Sequence, residues 1–180
     1  MNRSQGKKDR SEVELLREAM AGRKEAYGQI FRIHRERAYG LAYQYTRNKE
    51  DALDIVQEAF IRAYTHLSRF DLGRNFGPWL LSIVRNLSID CLRKRKRRAT
   101  QELPQVIPDR KRKSADQKLL RQEVRAALFK MARPQREIIF LKDYQGHSYA
   151  EIAEIMEIPL GTVMSRLHHA RKQLVKVLKA

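Results

Sequence analysis

Apolar residues recur at helical spacing along almost the whole chain, and few segments alternate apolar and polar residues as a half-buried strand does. The pattern therefore predicts an all-α protein. Glycines, prolines and polar clusters mark the ends of the predicted helices. In chain order we expect helices over residues 11–22, 24–46, 50–67 (capped by Asn48), 79–98, 116–131 and 134–142, followed by a pair of helices between residues 148 and 174.

The pair of helices near the C-terminus has the pattern of a helix-turn-helix. Ser148 and Glu151 form the sequence signature of a capping box, which predicts the start of the first helix. Pro159 cannot continue that helix but suits the first turn of another. The turn is therefore predicted around Glu157 and Ile158.

The second helix of the pair divides into two faces. Its apolar side chains recur every three or four residues, at Val163, Leu167, Ala170 and Leu174. A helix in the major groove needs such a seam against its own domain and polar or cationic side chains toward the DNA. The alternative is an ordinary basic amphipathic helix. The candidate DNA-facing residues are Thr162, Met164, Ser165, Arg166, His168, His169, Arg171 and Lys172.

The formal net charge of the chain is +17, with a surplus of +10 in residues 1–98 and +7 in residues 99–180. Such an excess favours a polyanionic partner, nucleic acid ahead of a membrane surface. Cys91 is the single cysteine, which excludes an internal disulfide and fits a reducing compartment. No apolar run approaches the roughly 20 residues of a membrane span, and no apolar signal segment follows the N-terminus, so we expect a cytoplasmic protein.

An acidic line is unexpected in so basic a chain. Asp51, Asp54 and Glu58 recur at i, i+3 and i+7 of one predicted helix. The line is either a solvated face that suits the positive N-terminus of the helix or a docking surface for a basic partner. A second, apolar line of the same helix consists of Leu53, Val56, Phe60 and Tyr64.

A loop over residues 68–78 precedes the predicted helix that ends in an almost purely cationic run, residues 93–98. This run is either a solvated tail or a segment that follows a phosphate backbone. Residues 99–115 contain two prolines and few apolar residues, and they predict a flexible basic linker. We therefore expect two small helical domains, over residues 1–98 and 116–180.

In this order and spacing, the elements resemble the bacterial sigma factors of the extracytoplasmic-function (ECF) group of the sigma-70 family. The resemblance is carried by DALDIVQEAFIRAY at residues 51–64, FGPWLLSIVRNLSIDCLRKRKR at residues 76–97 and PQREIIFLKDYQGHSYAEIAEIMEIPLGTVMSRLHHARKQL at residues 134–174. It implies a region 2 domain, a region 4 domain and a promoter-recognition subunit without catalysis of its own. The implied partners are promoter DNA, an anti-sigma factor and core RNA polymerase, bound through the coiled coil of its largest subunit and its flap region. No cofactor, metal or small-molecule substrate is implied.

The resemblance also assigns roles to residues at matching positions. Polymerase docking would fall to Asp51, Asp54, Gln57, Glu58 and Ile61. Capture of the unpaired minus-ten strand would fall to Phe70, Arg74, Asn75, Asn86, Arg93, Arg95 and Arg97, while Phe76 and Trp79 are expected in the core. The DNA-facing residues of the helix-turn-helix would read the minus-thirty-five element. The linker would pass through the polymerase cleft, and an anti-sigma factor would clamp the domains so that the acidic line and the recognition helix are both hidden.

The chain departs from the family pattern at four positions. Arg133 precedes a proline where leucine is usual, and Glu157 fills a turn position often held by glycine. Met164 and His169 stand where basic residues are common. Neutral side chains there make fewer contacts with phosphates and guanine edges, so these departures bear on the promoter sequence rather than on the family.

Two other classes of function compete with a promoter-recognition subunit. A self-sufficient helix-turn-helix regulator would need a ligand-binding or dimerisation domain, whereas the first half offers an acidic line and a basic helix. An enzyme acting on nucleic acid would need a nucleophile or a carboxylate metal cluster, and the sequence suggests neither. The histidines are expected to be structural or exposed on the surface, at positions 34, 66, 147, 168 and 169.

Overall fold

The computed structural model describes residues 11–99, 123–124 and 126–179. Within these ranges all regular structure is helical, which confirms the predicted class. None of the helices in these ranges combines the length and the apolar character that crossing a bilayer requires. The predicted linker over residues 99–115 lies outside the described residues except at its first position, as does half of the helix predicted over residues 116–131.

Four helices form the first domain: α1 (Glu12–Met20), α2 (Lys24–Thr46), α3 (Lys49–Thr65) and α4 (Phe76–Ala99). Their N-termini follow from local side-chain chemistry. The Ser11 hydroxyl accepts from the Glu14 backbone N–H at 3.3 Å, and the Glu14 carboxylate accepts from the Ser11 N–H at 2.9 Å, completing a capping box. Asn48 Oδ1 accepts from the N–H groups of the first turn of α3, at 2.8 and 3.1 Å.

The face of α3 that enters the core takes in only part of its apolar line. Val56 and Phe60 are buried, whereas Leu53 is 58% exposed and Tyr64 is 39% exposed. Alanines complete the buried face because α2 and α4 both pack closely on α3, and alanine lets helix axes approach. The residues of α3 that are buried are Ala52, Ile55, Val56, Ala59, Phe60 and Ala63.

Helix α4 begins at Phe76, three residues before the predicted start at Trp79. Pro78 is compatible with this start because the first turn of a helix needs no backbone N–H from it. A short 3-10 turn over Leu67–Arg69 leads the chain back toward the core. The ring of Phe76 is buried, as predicted, with its centroid 5.3 Å from that of His34.

The second domain begins among the described residues with helical residues at 123–124 and 126–130. It continues with α5 (Arg133–Ile139), a π-helical turn (Phe140–Tyr144), α6 (Tyr149–Met156) and α7 (Leu160–Lys179). The predicted capping box is confirmed: the Ser148 hydroxyl accepts from the Glu151 N–H at 3.2 Å, and the Glu151 carboxylate accepts from the Ser148 N–H at 2.8 Å. Helix α7 buries the predicted seam of Val163, Leu167 and Ala170.

The two domains pack against each other, with α4 lying against α6 and α2 contacting α5. Arg85 of α4 donates from Nε to Glu137 Oε1 of α5 at 2.8 Å, and the two side chains are 17% and 4% exposed. Burial alone would lower the pKa of Arg85, but the Glu137 carboxylate outweighs it and raises that pKa. A Cβ atom at Gly40 would lie only 3.0 Å from Phe140 Cζ, so a larger residue there would require the Phe140 ring to shift by a few tenths of an ångström.

Candidate nucleic-acid and protein interfaces

The acidic line borders an open groove of about 620 Å³ between α3 and α4. Asp51, Asp54 and Glu58 line one side, and the basic end of α4 lines the other. Asp54 is exposed, and the half-exposed Glu58 accepts a hydrogen bond from Arg62 Nε at 2.7 Å. An exposed pair of this kind contributes little to stability, so these carboxylates remain available to a partner.

Apolar side chains flank the acidic line on the same exposed part of α3. Ile61 is 54% exposed and Gln57 is exposed, as expected for docking residues. Leu53 lies one helical turn before Gln57 and two turns before Ile61, so the three side chains share one face of α3. Leu53 was not among the predicted docking residues, and its position four residues before Gln57 was the available signal.

The groove also contains the single cysteine. Cys91 is half-buried, and burial together with the nearby Asp51 carboxylate raises the pKa of its thiol. A raised pKa keeps the side chain as a neutral thiol near pH 7, which disfavours reactivity. Cys91 therefore contributes packing surface to the groove.

A second cleft, of about 480 Å³, lies beside the groove, between the end of α3, the 3-10 turn and α4. Cationic and amide side chains line it together with aromatic rings, a combination that suits an unpaired nucleotide because bases stack on rings while donors hold phosphates and base edges. The lining includes Arg62, His66, Arg69, Phe70, Arg74, Trp79 and Asn86.

In this cleft, Phe70 is more buried and Trp79 is more exposed than the sequence led us to expect. Phe70 was a candidate for stacking, but it is only 8% exposed because the 3-10 turn folds it onto Phe76, with ring centroids 5.6 Å apart. Trp79 was expected in the core, yet it is half-buried and lines the cleft, with its ring centroid 4.8 Å from that of Phe70. Trp79 therefore offers more ring surface than Phe70.

The remaining strand-capture candidates separate into two groups. Arg74 and Asn86 line the cleft, with exposed Asn75 next to Arg74 in the chain. The cations at the end of α4, Arg93, Arg95 and Arg97, are exposed. Arg95 lines the acidic groove, 3.8 Å from an Asp51 carboxylate oxygen, whereas Arg93 pairs with Asp90 at 3.5 Å.

Three carboxylates of the second domain meet the cleft residues. Glu154 accepts a hydrogen bond from the Arg74 guanidinium. Glu151 Oε1 accepts from Asn75 Nδ2 at 3.4 Å, and Glu157 Oε1 accepts from Asn86 Nδ2 at 3.0 Å. From the sequence, Glu151 was expected only to cap a helix, and the other two carboxylates had no predicted role in binding.

Most of the predicted DNA-facing residues of α7 are exposed. Met164 is 54% exposed, and Thr162 is half-buried. Arg171 is held by Asp143, which accepts from Arg171 Nη2 at 2.5 Å and from Nε at 3.2 Å, and this contact raises the pKa of Arg171. The pair fixes the direction of the guanidinium. The other exposed members of the set are Ser165, Arg166, His168, His169 and Lys172.

Within the described ranges, no cluster of three or more histidine, cysteine, aspartate or glutamate side chains could hold a metal ion. His34 and His147 are buried, and His66, His168 and His169 are exposed. The arrangement provides binding surfaces for a protein and for nucleic acid: an acidic groove, a cationic aromatic cleft and a polar helix face.

Comparison with known families agrees with this arrangement. Residues 30–98 match the family model Sigma-70 region 2, and residues 121–174 match Sigma-70, region 4. The ECF RNA polymerase sigma factor SigW of Bacillus subtilis is 33% identical, in an alignment covering 91% of this chain and 95% of that protein. The ECF RNA polymerase sigma factor SigM of Mycobacterium tuberculosis is 34% identical, with coverage of 96% and 87%.

Solved structures share the two-domain architecture. CnrH, solved in complex with the cytosolic domain of CnrY, aligns with a TM-score of 0.72 at 26% identity, covering 93% of this chain and 97% of that one. The sigma factor RpoE of Bartonella quintana, solved with the anti-sigma factor NepR, aligns with a TM-score of 0.72 at 27% identity, covering 86% and 97%. The chain belongs to the sigma-70 family, in its ECF group. It is a promoter-recognition factor for transcription initiation, not an enzyme.

Proposed function

We propose that the chain binds core RNA polymerase through the acidic groove of α3 and captures one strand of the minus-ten element in the neighbouring cleft. The observation that supports this division is that the groove and the cleft lie side by side on α3 and α4 and share Arg62, Leu87 and Asp90 in their linings. A strand captured in the cleft would thus be held next to the bound polymerase.

The groove has the chemistry of a docking site for a basic helical surface. Asp54 and Glu58 supply negative charge that steers and orients a cationic partner, and Leu53 and Ile61 supply apolar area beside it. The resemblance to ECF sigma factors supports the coiled coil of the largest polymerase subunit as this partner.

The cleft has the chemistry of a single-strand site. Holding a base outside the duplex costs a few kcal/mol of unstacking, which stacking and polar contacts offset. Trp79 supplies an aromatic surface, and Arg74 and Asn86 supply donors. Arg93, Arg95 and Arg97 extend positive charge along α4 for the phosphates of the same strand.

Helix α7 is proposed to read the minus-thirty-five element in the major groove. Met164 offers only apolar contact, for example with a thymine methyl, and His169 is shorter than the arginine that is common there. Arg166 and Lys172 are therefore expected to provide most of the charge, and Arg171 contacts DNA in the orientation that Asp143 gives it.

The chain is also proposed to be held in check in the cytoplasm by an anti-sigma factor. Support comes from the two solved relatives, of which RpoE was solved with the anti-sigma factor NepR and CnrH with the cytosolic domain of CnrY. Both align with this chain over the two domains together.

The proposed function is tested by transcription in vitro. Purified full-length chain is added to core RNA polymerase on a genomic DNA pool, and the 5′ ends of the transcripts are sequenced. We expect a discrete set of start sites preceded by two shared sequence elements. Transcripts that start at the same sites without the chain would contradict the proposal. Binding to duplex DNA with no effect on start sites would instead favour a self-sufficient helix-turn-helix regulator.

A further inference from the structure

We infer that the acidic face of the second domain competes with single-stranded DNA for the capture cleft of the first domain. This acidic face consists of Glu151, Glu154 and Glu157, on α6 and the turn after it. The inference rests on the proposed strand-capture role of the cleft. It adds a second ligand for the residues of the cleft, the carboxylates of the second domain of the same chain.

The contacts are those that a nucleic acid strand would make. Arg74 donates to Glu154, Asn75 to Glu151 and Asn86 to Glu157, and the last contact is 3.0 Å long. Each acceptor is a carboxylate oxygen, which carries the negative charge and acceptor geometry that phosphate oxygens share. Donors that are engaged by these carboxylates cannot bind a DNA strand at the same time.

The left-handed backbone conformation at Glu157 supports a binding role for its side chain. Glu157 has φ of 55° and ψ of 47°, a left-handed conformation that favours glycine over residues with a Cβ atom. The turn between α6 and α7 would therefore form more readily with glycine. A glutamate at this position bears the strain but provides the carboxylate that meets Asn86.

The fit between the domains is specific beyond these three contacts. The buried Arg85–Glu137 pair lies in the same interface, and Arg136 donates to the backbone carbonyl of Gln44 at 3.1 Å. Gln145 donates to the carbonyl of Arg37 at 2.8 Å. Such directional contacts favour one arrangement of the two domains, the one in which the carboxylates engage Arg74, Asn75 and Asn86.

The closed arrangement leaves the other two binding surfaces open. Asp54 and Ile61 of the acidic groove are exposed, as are Met164 and Arg166 of the recognition helix. A closed chain can thus present the acidic groove and the recognition helix, whereas strand capture in the cleft requires the carboxylates to release Arg74, Asn75 and Asn86.

The consequence is a reduced apparent affinity for single strands. If only a fraction of the molecules is open, the apparent Kd equals the Kd of the open form divided by that fraction. Weakening the carboxylate contacts without damaging either domain should raise the open fraction and tighten strand binding.

The test uses the full-length chain with two substitutions, E154Q and E157G. The first removes the charge that meets Arg74, and the second removes the Asn86 contact while relieving the left-handed strain, so α6 and α7 should stay folded. The probe is a fluorescein-labelled single-stranded DNA of random sequence, followed by anisotropy at one fixed ionic strength. We expect the variant to bind roughly threefold to tenfold more tightly than the wild type.

A matched control separates this effect from charge alone. The variant E25Q/E36Q removes the same number of charges from exposed positions on α2. If E154Q/E157G binds the strand no more tightly than this control, the inference is overturned. A parallel change in the affinity of E154Q/E157G for core RNA polymerase would also overturn it, because closure is inferred to leave the acidic groove free.

The outcome also distinguishes this inference from the proposed function. Wild-type chain that prefers the single strand to a duplex of random sequence, with no gain in E154Q/E157G, would leave strand capture standing and remove the competition. No preference for the single strand in any of the proteins would remove strand capture itself, and with it the competing role of the carboxylates.

Discussion

The two acidic faces of this protein have similar sequence patterns and different surroundings. Asp51, Asp54 and Glu58 lie three or four residues apart on α3, and Glu151, Glu154 and Glu157 lie three apart at α6. The α3 face borders an open groove, whereas the α6 face contacts the capture cleft of the other domain. The same pattern therefore produces a free surface in one domain and an occupied one in the other.

The difference shows that acidic spacing identifies a face but not its partner. The partners of the α6 face are separated from it by 71 to 80 residues along the chain. Only the packing of α4 on α6 brings them together. The comparison predicts that changes to the α3 face alter binding to another protein, whereas changes around the α6 face alter the interaction between the two domains.

Reversing the charge of the exposed α3 face is expected to have the largest effect. In D54K/E58K, cations replace the carboxylates that are proposed to meet a basic partner, so attraction becomes repulsion. We expect the Kd for core RNA polymerase to rise on the order of 1000-fold, about 4 kcal/mol. The measurement is anisotropy of the full-length chain labelled at its N-terminus, titrated with core polymerase.

The control for this reversal is E25K/E36K, which makes the same charge change at exposed positions of α2. Circular dichroism should show unchanged helix content in both variants, because the substituted side chains lie outside the core. Wild-type affinity of D54K/E58K for polymerase would identify the α3 face as a merely solvated surface.

Removing the buried charge of Glu137 tests the interface between the two domains, in which the occupied α6 face also lies. In E137Q, the partly buried Arg85 loses its carboxylate partner, which destabilises proteins strongly because the remaining charge is poorly solvated. We expect the free energy of unfolding in urea to fall by about 3 kcal/mol. The double variant R85M/E137M should recover most of that loss, since it leaves no unpaired charge. A loss below about 0.5 kcal/mol in E137Q would be typical of a solvent-exposed pair.

Neutralising the cationic end of α4 tests whether the capture surface extends beyond the cleft. The variant R93A/R95A/R97A removes exposed side chains that are proposed to follow phosphates. We expect roughly tenfold weaker binding of a single-stranded DNA, and the slope of log K against log salt should decrease in magnitude by about 2, since each cation releases about 0.7 counterion from a single strand. The loss should be similar for all sequences.

The matched control for this variant removes three exposed cations of α1 and α2, as R17A/R32A/R35A. An equal loss of affinity in the control would mean that the strand responds to overall charge rather than to the end of α4. A change in base preference in R93A/R95A/R97A would contradict a role limited to phosphates.

Local chemistry allowed much of the fold to be predicted from the sequence. The starts of three helices at Ser11, Asn48 and Ser148 follow from side chains within three residues of each cap, so no knowledge of the rest of the chain was needed. The exposure expected of Phe70 was wrong because its burial depends on side chains that pack on it from other parts of the fold. The interface between the domains was missed for the same reason.

The smallest predicted effect concerns protonation beside the occupied face. His147 is buried, with Nδ1 3.6 Å from a Glu151 carboxylate oxygen and Nε2 3.2 Å from Gln145 Oε1. Burial lowers the pKa of His147, helped by the charges of Arg37 and Lys142, although the Glu151 carboxylate acts in the opposite direction. The folded state therefore favours the neutral ring.

This shift fixes the direction of the pH dependence. The unfolded chain takes up the His147 proton near pH 6.5, at a higher pH than the folded chain does, so stability decreases as the pH falls below about 6.5. The pKa of Glu151 is also lowered, because the capping hydrogen bonds from Ser148 outweigh the effect of burial, and its protonation removes further stability at more acidic pH. Between pH 7 and pH 5.5, we expect the wild-type Tm to fall by about 1–2 °C more than that of H147Q. The exposed His169 provides the control, since H169Q should retain the wild-type pH dependence. If H147Q and wild type lose the same Tm on acidification, another group is responsible, and the buried histidine does not link protonation to the carboxylate that meets Asn75.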